Sequence, residues 1–105
     1  MIISTHQFVK TTQADWDTSI NGIPENMKTT LFALKSYVQQ NAVEIVDFPD
    51  PNTCKITVVW SNNDFNAFLT HANSITNYTQ WLEDFRQVQA DLGYTFTRTI
   101  EDIPD

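Results

Sequence analysis

Two histidines, three tryptophans and one cysteine are the residues of this chain whose chemistry could go beyond packing. His6 sits in the middle of an alternating apolar run, on the same side as Ser4 and Phe8. An imidazole placed there either lies in a cavity, where it can take or give a proton near neutral pH, or is a hydrogen-bonded sheet histidine. His71 follows Phe68 and Leu69 on a helical pattern; it is a second candidate acid or base, or it rims the core. Trp60 ends a β-branched run just before a helix, where an indole can wall a pocket and offer its N–H, or can simply pack. The candidate catalytic residues are therefore His6 and His71, and the candidate ligand-binding residues are Trp60 and Phe8.

Much other chemistry is excluded. There is no glycine-rich phosphate loop, Cys-x-x-Cys, His-Glu-x-x-His or Gly-x-Ser-x-Gly. One cysteine and two histidines would need a carboxylate to close a zinc site, so no metal is expected. Cys54 has no disulfide partner and reads as a small buried hydrophobe in an apolar strand. The pairs Asp15/Asp17 and Glu83/Asp84 fit a solvated face better than general acid-base work. Thirteen acidic residues against six scattered basic ones give a formal charge of −7, a field that repels phosphate. Neither nucleic acid nor an anionic membrane is an expected partner. The N-terminus lacks the basic and long apolar stretches of a signal peptide, no segment reads as membrane-spanning, and a cytoplasmic protein is the default.

The elements that must hold these side chains can be read from hydrophobic rhythm. Met1 to Lys10 carries Ile3 and Val9 on one side and Ile2 and Phe8 on the other, a strand covered on both faces. Thr11 to Ile23 is polar and reads as a loop in which Trp16 is a lid or an anchor. Pro24 opens a helix to about Asn41, with Met27, Leu31, Leu34 and Val38 along one face. Val43 to Phe48 and Cys54 to Trp60 form a hairpin around the turn Pro49-Asp50-Pro51-Asn52. Ser61 and Asp64 have capping-box spacing ahead of Phe65, Phe68, Leu69 and Ala72. Asn73 to Asn77 breaks that helix, Asn77 and Gln80 offer a fresh cap, and the pattern resumes through Tyr78, Trp81, Leu82, Phe85, Val88 and Leu92 to Gly93. A last strand covers Tyr94 to Ile100, with a fraying acidic tail from Glu101. The expected core is Leu31, Leu34, Val38, Ile56, Val58, Phe65, Leu69, Phe85 and Val88.

The order β-α-β-β-α-β over 105 residues predicts one α+β domain spanning residues 1–105. Its plan is ferredoxin-like: a four-stranded antiparallel sheet with both helices on the same face. Val58-Val59-Trp60 followed by Phe68, His71 and Ser74 resembles the strand-Trp-helix-His segment of the antibiotic biosynthesis monooxygenase family, within the dimeric α+β-barrel group. The resemblance covers about Cys54 to Phe85 and the element order. Here the spacing from Trp to His is longer, and Val58 replaces the acidic residue or tyrosine usual in that segment. It implies a homodimer whose sheets pair face to face around a lumen that takes a small aromatic. It also implies oxidation without metal or flavin, hence no cofactor, with His6 or His71 taking a substrate proton and Trp60 shaping the pocket. The alternative from a different class is a non-catalytic assembly or regulatory module that uses the same sheet face for oligomerisation.

Overall fold

Side chains alternate across a strand, so whatever pairs with the first strand decides which of its residues face the helices. The computed structural model describes residues 1–10 and 23–104. Its elements are β1 (Ile2–Lys10), α1 (Glu25–Asn41), β2 (Val43–Asp50), β3 (Thr53–Trp60), α2 (Asn62–Asn73), α3 (Tyr78–Asp91) and β4 (Tyr94–Asp102). The loop expectation for Thr11 to Ile23, Trp16 included, falls on residues 11–22 and so lies outside the described residues, except for Ile23, which is buried.

The sheet runs β2-β3-β1-β4 with every neighbour antiparallel, which is the ferredoxin-like order. Directly opposed residues share a face. On the helix side lie the rows Val46–Ile56–His6–Arg98 and Cys54–Phe8–Phe96, with Ser4 between Val58 and Ile100. The opposite face carries the rows Val43–Val59–Ile3–Glu101 and Ile45–Thr57–Thr5–Thr99.

The broken second helix is as expected. The Asp64 amide N–H donates to Ser61 Oγ at 3.1 Å, which caps α2. Asn77 holds the position before α3 in a left-handed conformation (φ 59°) and makes no side-chain cap bond; its carbonyl accepts from the Trp81 N–H instead. Gly93, at φ 90°, ends α3 in the left-handed region that glycine enters without strain.

Two boundaries differ from the sequence reading. β2 continues through Pro49 to Asp50, which a proline permits on an edge strand, with a register shift between Asp47 and Asp50. Asp50 then closes the turn by accepting from the Asn52 N–H and the Thr53 hydroxyl. The acidic tail does not fray at Glu101. β4 runs on to Asp102 against Ile2, and the Met1 amine and Ile103 N–H exchange bonds with each other's carbonyls.

The core is thin at its centre. Leu34 and Val58 are buried as expected, but Leu31, Val38, Ile56, Phe65, Phe85 and Val88 are only half-buried, and Leu69 is 37% exposed and belongs to the surface. Among the described residues no large side chain is wholly buried. Ile2, Val58 and Trp60 make the tight cluster, with Tyr37, Val38, Phe65 and Phe68 against it. Leu34→Ala is expected to cost about 2 kcal/mol or more, and Leu69→Ala less than about 0.5 kcal/mol. Urea unfolding of the two variants checks this, and equal losses would contradict the assigned helix face.

Candidate functional site

The space left under the helices is a cavity of about 200 Å³, built from three walls. The sheet supplies Ser4, His6, Phe8, Val58, Phe96 and Arg98. Leu31, Leu34 and Val38 of α1, with Phe65 and Phe68 of α2, close one side over Trp60. From α3 come two i, i+4, i+8 rows, Tyr78–Leu82–Arg86 and Trp81–Phe85–Gln89, which put an apolar wall with two polar ends on one helix face.

Aromatic rings dominate the lining. Tyr78, Trp81 and Phe85 stack along α3 at 6.2 and 5.1 Å between centroids, each pair inclined by 12°. Across the cavity Trp60 meets Phe68 at 5.0 Å and Phe65 edge-on at 6.1 Å. Phe8 packs on Phe96 at 5.0 Å, and the His6 ring stacks on the same Phe96 at 6.1 Å. Such walls suit a flat, electron-rich ligand.

The polar groups gather towards β4 and α3. Ser4 and Gln89 are buried, whereas Arg86 and Arg98 line the cavity yet remain exposed, which marks where it opens to solvent. Burial, and then the Arg98 guanidinium, hold the His6 imidazole well below its usual value, at about 4. His6 is therefore neutral at pH 7, an acceptor beside a fixed positive charge. Burial pushes the Tyr78 hydroxyl up, while Arg98 and Arg86 pull it down. Trp81 Nε1 is buried with no hydrogen-bond partner among the described residues. A donor left so costs about 1–3 kcal/mol.

His6, Phe8 and Trp60 are thus brought together, though not where the sequence reading put the ligand. They face the helices, and the cavity lies within one subunit instead of between two sheets. His71 is not among the lining residues. It is exposed on α2 and its ring stacks on Tyr37 of α1 at 4.5 Å and 14°, a contact between two helices. Cys54 is buried, and its burial pushes the thiol up. No group of three or more His, Cys, Asp or Glu side chains gathers among the described residues.

Sequence reasoning missed Arg98, Arg86, Tyr78, Trp81 and Gln89. The readable signal was a polar residue ending each apolar row of α3; Arg98 needed the β1–β4 register.

No protein-family model matches this sequence, and no curated protein matches it. Its fold has counterparts among solved structures. A candidate antibiotic biosynthesis monooxygenase from Deinococcus radiodurans superimposes with a TM-score of 0.54 at 14% identity, over 100% of this chain and 94% of that one. A dimeric ferredoxin-like protein from an uncultured marine organism gives 0.52 at 13% identity, over 95% of this chain and 92% of that one. The fold is therefore ferredoxin-like, as in these two structures.

The neutral His6 has a stability consequence. Its folded value lies below the unfolded 6.5, so its contribution is fully present above pH 6.5 and is lost as pH falls towards 4. Between those limits the parent is expected to lose on the order of 3 kcal/mol that His6→Gln does not lose. Urea midpoints at pH 7 and pH 4.5 measure the difference, and parallel losses in both proteins would contradict a buried neutral imidazole.

Proposed function

We propose that the chain is a homodimer that binds a small aromatic molecule in the cavity of each subunit and oxidises it with molecular oxygen, as a cofactor-independent monooxygenase. The observation that carries this reading is the aromatic-walled cavity itself, with a neutral imidazole and a guanidinium side by side on its sheet wall. The fold it shares with a candidate monooxygenase supports the same direction.

The chemistry follows from those groups. A phenolic hydroxyl donates to His6, and Arg98 stabilises the oxyanion that forms as its proton moves to the imidazole. An imidazole held near 4 is a weak base on its own, so the anion must be stabilised for the transfer to proceed. The electron-rich ring carbon para to the oxyanion then forms a C–O bond to O₂, and the peroxide takes the proton back from His6. Loss of water at that carbon leaves a second carbonyl. One oxygen atom enters the quinone and the other leaves as water. Trp60 and Phe8 hold the ring against the sheet.

The dimer uses the other face. Val43 and Ile45 are 61% and 53% exposed there, beside Val59 and Ile3, and a two-sided sheet needs such a surface covered. A stable contact buries on the order of 800 Å² per partner. The fold it shares with a dimeric ferredoxin-like protein points the same way. Sedimentation is expected to give a dimer at micromolar concentration and a monomer for Ile45→Glu; a monomeric parent would contradict the assignment.

Oxygen uptake with small phenols that carry hydrogen at the para carbon tests the reaction. His6→Ala is expected to lower kcat about 10²-fold or more, and Trp60→Phe to raise KM in a folded dimer. Binding without oxygen uptake would favour the non-catalytic module, and turnover untouched by both substitutions would place the site elsewhere.

A further inference from the structure

Most of the cavity is explained by any apolar ring, but its cations are not. The protein carries a formal charge of −7 and only six basic residues, yet two of the six, Arg86 and Arg98, line this one cavity. Among the described residues no Asp or Glu lines it with them. Among the described residues neither guanidinium makes an ion pair; Arg86 lies over the Phe96 ring, 6.0 Å from its centroid, and Arg98 stands opposite His6. Both charges are felt at the Tyr78 hydroxyl and that of Arg98 at His6, so they act on the same space. An acidic protein repels anions generally. Two uncompensated guanidinium groups at the mouth of its cavity reverse that sign locally and match the fork of a carboxylate.

Size narrows the ligand further. An apolar cavity of about 150 Å³ holds benzene. At about 200 Å³ this one has room for a single substituted ring and not for a fused polycycle.

We infer that the cavity is selective for a monocyclic aromatic carboxylate, its acid group held by Arg86 and Arg98 at the mouth and its ring against the aromatic walls. The inference rests on the aromatic-binding reading above and names the ligand class of that site.

The test compares 4-hydroxybenzoate with its methyl ester and with hydroquinone, by tryptophan fluorescence and calorimetry at fixed ionic strength. The carboxylate is expected to bind at least tenfold more tightly than the ester. Arg86→Gln and Arg98→Gln together should abolish that preference, whereas Arg98→Lys keeps part of it. Because both side chains are exposed, the variants should unfold at the parent's temperature. Trp81→Phe should weaken acid and ester alike. If the neutral ring compounds bind and the acid binds no better, the carboxylate inference is wrong and the aromatic site stands. If the preference survives in the double glutamine variant, the arginine assignment is wrong. If none of the three binds, the aromatic-binding reading fails and the inference falls with it.

Discussion

The register of β1 against its two neighbours is the constraint on which everything else depends. Pairing His6 with Ile56 on one side and Arg98 on the other puts an imidazole and a guanidinium next to each other on the face that the helices cover. A slip of one residue would turn Ser4, His6 and Phe8 outwards and bring Thr5 and Gln7 in, exchanging a lined cavity for a row of polar side chains. Several interactions fix the register. Val58 and Trp60 bury against Ile2, Phe8 packs on Phe96, and the Met1 and Ile103 backbones bond to each other where β1 begins. The element that was expected to fray is one of the ties that hold the site in phase.

The helices cover the sheet without filling the space above it. In a close-packed domain of this size, the positions along the α1 stripe would be wholly buried. Here Leu31 and Val38 remain half-buried, because they face a void shared with rings from α2 and α3. The break between α2 and α3 makes this geometry possible. Ser61 caps one piece, left-handed Asn77 precedes the other, and the second piece turns Tyr78, Trp81 and Phe85 towards the cavity as a stacked wall. The orphaned indole N–H and the desolvated imidazole are local costs that a filled, apolar core would not carry. A bound ring with a hydroxyl donating to His6 would relieve the second.

The architecture was legible in the sequence because period two and period 3.6 are local signals; the switch between them located all seven elements to within a few residues. The side of the sheet was not legible in the same way. Apolar groups on both faces of β1 say that both are covered, but not which cover encloses a ligand, and so the site was expected between two sheets. Trp60, His6 and Phe8 stood out by residue type, and the fold brings them to one cavity. Arg98 was not, because an arginine in a threonine-rich edge strand reads as solvent-facing until its partner is known. His71 was singled out by a resemblance despite its longer spacing after Trp60, and its ring is engaged by Tyr37 outside the cavity.

The most direct test of a ligand site under the helices is methyl and indole NMR of the labelled protein during titration with hydroquinone. The cavity reading expects saturable shifts at the methyls of Leu34, Val38 and Val58 and at the Trp60 and Trp81 indole N–H groups, with Val43, Ile45 and Val59 on the opposite face unmoved. Shifts confined to Val43, Ile45 and Val59 would place the ligand between the sheets and contradict it.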